Sequence, residues 1–441
     1  MILRRVLCAA LVAASLGSAG CGEESPLSRW APKRTAHETY TGSLRAAGLE
    51  AHAMGRLWID ASAAALTGPQ DVTLPVRETG YFDPAKPSAV AYRFDLPRGR
   101  ALDIDVIFES SRPGQLFVDL FSVREDGTDG VASVETGATS MRYVSLRDGA
   151  YVLRLQPELL AGGRYTIVQR TGASLRFPVE GVGERSIQSI FGDARDGGRR
   201  DHHGVDIFAP RGTPVVAAAD GVIRSVSTTE IGGRVIWLSN ATSSQSIYYA
   251  HLNDWAVTSG QRVAAGDVIG FVGNTGNART TPPHLHFGVY SGGPVDPLPF
   301  IRAADRVPPA PSAPPALLGK WAKVGRTAAP LRSGASRSSA SVAMLGPATA
   351  VEVTAASGAA YRVALPDGRQ GYVDARAIAP LDDAGRSLRL AGAAALHESP
   401  SAQGVVMEPL PEGTRVIVLA EFNGFALVET GGRRGWVREG T

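Results

Sequence analysis

The sequence predicts a mainly β, multidomain chain opened by a short helical segment. Three observations carry this reading. From Asp71 onward, short alternating runs such as "ALDIDVIFES" and "QLFVDLFSV" are separated by Gly, Pro and Asp turns. A glycine-rich, β-patterned stretch from about Phe177 to Arg302 follows, and it holds five of the eight histidines. Towards the C-terminus one unit is written twice: Tyr361, Gly371 and Tyr372 match Phe425, Gly435 and Trp436 at a constant offset of 64 residues. A chain of 441 residues has room for three or four domains of roughly 100–150 residues each. Its 44% hydrophobic and 20% charged residues are those of ordinary globular material. A net charge of +3, with no basic stripe interleaved with aromatics, excludes a nucleic-acid partner.

Taken in order, residues 1–20 read as a signal peptide. In "MILRRVLCAALVAASLGSAGC", Arg4 and Arg5 precede an apolar run from Val6 to Leu16, and small residues lead to Cys21. That run is shorter than the about 20 residues of a typical membrane-spanning helix. "SAGC" resembles a bacterial lipobox, although Ser18 stands where such boxes prefer leucine. The resemblance implies lipidation of Cys21 and anchoring of the mature chain to a membrane in the cell envelope. Gly22, in place of aspartate, favours the periplasmic face of the outer membrane, or the outer face of the cell membrane in a single-membraned cell. A soluble secreted protein is the alternative. The only cysteines are Cys8 and Cys21, and Cys8 leaves with the signal. The mature chain therefore forms no internal disulfide and no cysteine-rich zinc site, so any metal must be held by His, Asp or Glu.

Residues 21–66 comprise a polar tether and a stretch rich in helix formers, broken at Gly48 into two helices. Residues 67–176 read as an antiparallel β-sandwich. The strings "YRFDLPRG" and "GAYVLRLQPELLAGGRYTIVQ" make it resemble the jelly-roll accessory domains found beside secreted peptidases, which implies a binding or spacer role. Residues 177–303 form the histidine-bearing β domain, and the Pro/Ala-rich 304–319 reads as a semi-rigid linker. The repeat units, 320–381 and 382–441, are each the size of a small domain. They resemble bacterial SH3-like modules, small β-barrels that often bind cell-wall peptides; a spacer without ligand is the alternative.

The histidines are clustered by spacing. In "HLHFGVY" a strand puts His284 and His286 on one face and Leu285 and Phe287 on the other, towards the core. Taken alone, such a pair is more often surface or satisfied core than a ligand set. In "DHHGVDIFAP", His202 and Asp206 share a face whether the chain is extended or helical, and His203 does not. Two histidines and an aspartate suit zinc, and three protein ligands leave a fourth position open, the mark of a catalytic site. "IYYAHLNDW" adds His251 at the end of another strand-like run. Two unligated histidines beside such a centre would supply the proton transfer and charge stabilisation that peptide hydrolysis needs.

With "HHGVDIFAPRGTPVVAAADGVI", "YYAHL", "VAAGDVIGFVGNTG" and "PPHLHFGV" in that order, residues 192–300 resemble the lysostaphin/LytM-type zinc metallopeptidases. The resemblance implies a two-sheet β groove holding one zinc ion, with His202, Asp206 and His286 as ligands. It makes His284 the general base and His251 a stabiliser of the transition state; His203 carries no role. The glycine-rich loop 273–283 is placed to wall the groove, so Asn274, Thr275, Asn277 and Arg279 are substrate-binding residues or mere surface. The arginines of "FGDARDGGRR" read as a solvated loop. The implied activity is a zinc endopeptidase acting on peptidoglycan peptide cross-links in cell-wall remodelling. A non-catalytic activator of a separate amidase, a peptidase of proteins, and a scaffold built around the SH3-like pair are the alternatives.

Overall fold

The computed structural model describes residues 34–195, 197–382 and 386–440. The signal peptide, Cys21 and most of the tether lie outside the described residues. Mainly β, the chain opens with two α-helices, Ala36–Ala46 and Ala53–Thr67. The first is started by a reciprocal cap: Thr35 Oγ1 accepts from the Glu38 amide at 3.1 Å, and a Glu38 carboxylate oxygen accepts from the Thr35 amide at 2.9 Å. Gly48, at φ +70°, turns the chain between them. Trp58 anchors the pair, being buried with its indole donating to the Pro157 carbonyl at 2.7 Å and its ring stacked on His37. No helix among the described residues is long and apolar enough to cross a membrane.

Two facing sheets follow. One orders the strands Gln70–Asp71, Val90–Leu96, Gly149–Pro157, Leu116–Arg124 and Gly127–Ser133; the other orders Val76–Phe82, Gly163–Gly172, Ala101–Ser110 and Ser140–Val144. Alternation along Val90–Leu96 turns Tyr92, Phe94 and Leu96 inward onto Leu102, Ile104, Leu153 and Ile167. This second sheet does not end at its edge. Glu78, Thr79 and Gly80 pair with Ser357, Ala356 and Ala355, so the sheet continues into the first repeat unit. Beneath the junction, Glu78 is buried and accepts from the hydroxyls of Tyr92 (2.6 Å) and Tyr372 (2.9 Å). Buried Arg362 meets it at 3.1 Å.

The histidine-bearing region is built on one long sheet, in the order Ile187–Ser189, Val205–Phe208, His284–Tyr290, Ser246–Leu252, Gly233–Asn240, Gly221–Thr229 and Arg262–Val263. A smaller sheet, Pro214–Val216, Val268–Phe271 and Asp254–Trp255, covers one face. Between them lie Val205, Ile207, Val215, Ile236, Leu238, Ile269, Leu285 and Phe287, none of them exposed. The opposite face of the long sheet carries the histidines. Arg100 joins this region to the sandwich, its guanidinium donating to the carbonyls of Arg302 (2.6 Å) and Ala303 (3.1 Å). Gly99, at φ +84°, lies against the Phe300 ring, where an added Cβ would come within 2.4 Å.

Residues 304–319, expected to be a semi-rigid linker, run against the first repeat. The second half is docked on the first repeat: Ala313 and Leu318 are buried, Tyr361 donates to the Pro314 carbonyl at 2.6 Å, and the Gly319 amide donates to Val353 at 2.8 Å. Prolines fix the extended path, and the two apolar side chains give it a surface to cover. The repeat units also share an apolar cluster, in which Leu419, Phe422, Phe425 and Trp436 of the second pack with Val351, Val353 and Tyr361 of the first. The four repeat-matched aromatics Tyr361, Tyr372, Phe425 and Trp436 are thus core residues and present no outward stacking surface.

Candidate metal centre and groove

Three adjacent strands bring the site together. Antiparallel pairing sets Asp206 opposite His286 and Phe208 opposite His284, and Ala250 opposite His286 on the other side. His202 precedes the first of these strands and turns back over it. Gly204 makes that turn possible, because a Cβ there would lie 2.6 Å from the Phe287 carbonyl oxygen and 2.7 Å from the His286 ring. His251 breaks the alternation of its strand with φ +62°, a left-handed conformation uncommon for a residue with a side chain. The turn sends its imidazole to the groove, 5.0 Å from the His284 ring.

His202 Nε2, His286 Nδ1 and Asp206 Oδ1 form a near-equilateral triangle with sides of 2.9, 3.0 and 3.1 Å. The face of a zinc tetrahedron with bonds of about 2.0–2.1 Å has edges of about 3.3 Å, so the donor set needs only a small expansion to take the ion. The proton on His202 supports this. Its Nδ1 lies 2.8 Å from the Ile190 carbonyl, which can only accept, so Nδ1 carries the hydrogen and Nε2 offers a lone pair to the triangle. Burial would raise the Asp206 carboxyl, but the His202 and His286 rings beside it outweigh burial and hold the group far below the usual carboxylate range. Burial likewise lowers His286, favouring the neutral ring that a ligand must be. These three residues fit a single divalent metal of the zinc type.

The other two histidines are oriented by carbonyls. His284 Nδ1 lies 2.9 Å from the Pro282 oxygen, and His251 Nδ1 lies 2.9 Å from the Thr275 oxygen. Each therefore keeps its hydrogen on Nδ1 and offers Nε2 as an acceptor. His284 Nε2 stands 4.0 Å from Asp206 Oδ1, beside the donor triangle, with Phe208 stacked on its ring. Burial, reinforced by His284 and His286, pushes His251 down to about 4, so at neutral pH it is uncharged. A neutral ring with its hydrogen already committed to Thr275 accepts hydrogen bonds; it does not donate one to an oxyanion. The geometry therefore suits His251 to holding a hydrogen of the attacking water or of the departing amine.

All five residues open onto one cleft of about 610 Å³. Among the described residues, every one lining it lies between Gln188 and Tyr290, so neither the helices, the sandwich nor the repeats intrude. One wall is aromatic, with Trp237 packed between Tyr248 and Tyr290 at 4.5 and 5.0 Å. Of the glycine-rich loop, Asn277 and Thr281 line the cleft. Asn274 instead accepts from Arg211, and Thr275 serves through the carbonyl that holds His251. Arg279 is exposed and does not line the cleft. His203 is exposed beside Phe191 and takes no part in the donor set.

Arg195 corrects the reading of its segment as a solvated loop. Its guanidinium lies 2.8 Å from Asp206 Oδ2. Nothing in the spacing of "FGDARDGGRR" marks this one arginine, because a short hairpin, Ala194–Arg195 against Arg200–Asp201, folds it back over the site. The carbonyls of Ile190, Thr275 and Pro282 were equally invisible, since a backbone acceptor leaves no sequence signal.

Residues 200–297 match the family model described as Peptidase family M23. This stretch of the chain is similar to the domains of that peptidase family. Relatives of the domain include the L-Ala--D-Glu endopeptidase of Bacillus subtilis, 39% identical over 143 residues, or 30% of this chain and 44% of the relative. The DD-carboxypeptidase/endopeptidase Mpg of Neisseria meningitidis is 43% identical over 100 residues, 22% of each chain. The glycyl-glycine endopeptidase ALE-1 of Staphylococcus capitis is 40% identical over 110 residues, 24% of this chain and 30% of the relative. The chain thus spans less than half the length of these curated relatives. The M23 match covers both members of the His202/Asp206 pair, His251 and the His284/His286 pair.

Proposed function

We propose that the chain is a zinc-dependent endopeptidase that hydrolyses peptide cross-links of peptidoglycan. The observation that carries the proposal is the pairing, in one cleft, of a three-donor metal triangle with two further histidines, each with its Nδ1 set against a backbone carbonyl. When bound, the ion supplies Lewis acidity, polarising the scissile carbonyl and acidifying the attacking water. His284 Nε2, beside the triangle, takes a proton from that water as it attacks the carbonyl carbon. The same nitrogen then returns the proton to the amine nitrogen as the C–N bond breaks. His251 Nε2 holds the second hydrogen and so fixes the direction of attack, with its own ring set by Thr275. Arg195 and the Ile190 carbonyl keep the ligands from drifting.

Peptidoglycan as substrate is supported by the relatives, each named for an endopeptidase or carboxypeptidase activity, and by the resemblance of "SAGC" at Cys21 to a lipobox. A lipid-tethered enzyme on the periplasmic face of the outer membrane meets the adjacent wall far more often than it meets free proteins. We further propose that the sandwich and the two SH3-like repeats act as a rigid spacer that carries the cleft away from the membrane. Their shared sheet and shared cluster support this, as does the burial of the repeat aromatics.

The test is hydrolysis of purified peptidoglycan by the chain from Ser25 to Thr441, with released muropeptides identified by mass spectrometry. Loss of cross-linked dimers is expected with the wild type, and no loss with His284→Ala or after chelation. Unchanged muropeptides with the metal bound would reject peptidoglycan cross-links as the substrate.

A further inference from the structure

We propose that Arg195 is a positioning residue that restricts Asp206 to ligation through a single oxygen, an inference that rests on the metal-centre reading above. The two oxygens of Asp206 have different partners. Oδ1 faces His202 Nε2 and His286 Nδ1 at 3.1 and 3.0 Å, whereas Oδ2 receives the Arg195 guanidinium at 2.8 Å. A carboxylate whose outer oxygen is free can turn about its Cβ–Cγ bond and chelate with both oxygens, filling the position that water or substrate must use. Arg195 blocks that rotation. Asp206 is buried, so the ion pair is not of the solvent-screened kind that contributes little.

The arginine is itself held. The same terminal nitrogen donates to Ser189 Oγ, and Ser189 Oγ donates to Asp193 Oδ2 at 2.8 Å. Asp193 Oδ2 also accepts from the Ile190 amide at 2.9 Å, which holds the residue whose carbonyl orients His202. Backbone bonds from His202 N to Asp193 O and from Gly192 N to His202 O, both 2.9 Å, close the segment onto the ligand it serves. One short stretch, residues 189–195, therefore sets two of the three ligands: His202 through a carbonyl and Asp206 through a guanidinium. Outer groups of this kind typically tune metal affinity by about 10–100-fold.

The experiment uses the full chain as wild type, Arg195→Ala, Arg195→Lys and Ser189→Ala. Zinc affinity is read by competition with a chromophoric chelator, and coordination number by the visible spectrum of the cobalt(II)-loaded protein. Arg195→Ala should weaken zinc binding about 10–100-fold and lower the cobalt absorption, as a second carboxylate oxygen raises the coordination number. Arg195→Lys keeps a cation with several donors and should recover most of the affinity and the four-coordinate spectrum. Ser189→Ala should fall between. Zinc affinity within about threefold of wild type in Arg195→Ala, with an unchanged cobalt spectrum, would overturn the proposal. So would equal weakening in the Ala and Lys variants without spectral change, which would make the pair merely structural. Should Arg195→Ala fail to fold, Ser189→Ala decides, and an unchanged affinity and spectrum there would count against it. Wild-type protein that binds no zinc would sink the metal-centre reading itself, a separate result.

Discussion

Gly204→Ala is the substitution whose sign the structure predicts most sharply. An added methyl would lie 2.6 Å from the Phe287 carbonyl oxygen and 2.7 and 2.8 Å from Cε1 and Nε2 of His286. Ordinary contact begins near 3.4 Å, so the ring and the strand behind it must retreat by about 0.6–0.8 Å. The backbone oxygen has little freedom, because Phe287 pairs with Val205 on one side and Tyr249 on the other. Overpacking of this kind costs about 1–3 kcal/mol. At a permissive position Gly→Ala would instead stabilise by about 0.4–1 kcal/mol, so the two accounts differ in sign. The retreat also exceeds the roughly 0.2 Å within which metal–ligand distances are held, and His286 should lose most of its contribution to the donor triangle. Urea unfolding of the metal-free protein and chelator competition for zinc would be measured side by side. A lower midpoint together with at least tenfold weaker zinc binding is expected. A raised midpoint with unchanged zinc affinity would refute the claim that glycine is required here by contact with the ligand.

His284→Ala should retain metal yet lose about 10²–10⁴-fold in the rate of the chemical step, while His251→Ala should lose less; steady-state kinetics with metal analysis separates these from loss of the ion. In the metal-free protein, His251 sits at about 4 when folded against about 6.5 when unfolded, so the unfolded chain binds the extra proton between these values. Stability is therefore full above about pH 6.5 and falls as pH drops towards 4, by about 3 kcal/mol from this residue; His251→Asn should flatten that slope in denaturant titrations at pH 7.5, 5.5 and 4. Glu78→Gln should destabilise the joined sandwich and first repeat by about 3–5 kcal/mol, since it strands the buried Arg362 cation. Zinc affinity should be unmoved in that variant, and a matching loss at the metal centre would show that the two regions are coupled.

Much of the site was legible because it is written in strand parity. His284 and His286, two apart, must share a face, and Leu285 and Phe287 must share the other; both are fully buried in the core. His202 and Asp206 were paired by the same argument. The role of His251 was less accessible. Its φ of +62° breaks the alternation that parity assumes, and its proton is placed by the Thr275 carbonyl, 24 residues away in the chain. Arg195 was misread because an arginine in a polar hairpin is usually solvated, and only the fold of that hairpin onto Asp206 distinguishes it. The Pro/Ala-rich segment 304–319 was legible only in part. Its composition states that it is extended, but not that Ala313 and Leu318 find an apolar surface to cover.

What the sequence by itself determined is the local chemistry: which side chains share a strand face, where glycine and proline turn the chain, and which residue types are present to hold a metal in a chain with so few cysteines. These follow from short-range sterics and from the period of two along a strand. Only the tertiary structure decided which strands became neighbours, and with them the donor triangle, the tautomer of each histidine and the continuation of one sheet from the sandwich into the repeats. Those depend on contacts between residues tens to hundreds of positions apart, such as Glu78 with Arg362 and His202 with His286, and no local pattern encodes which partners will meet.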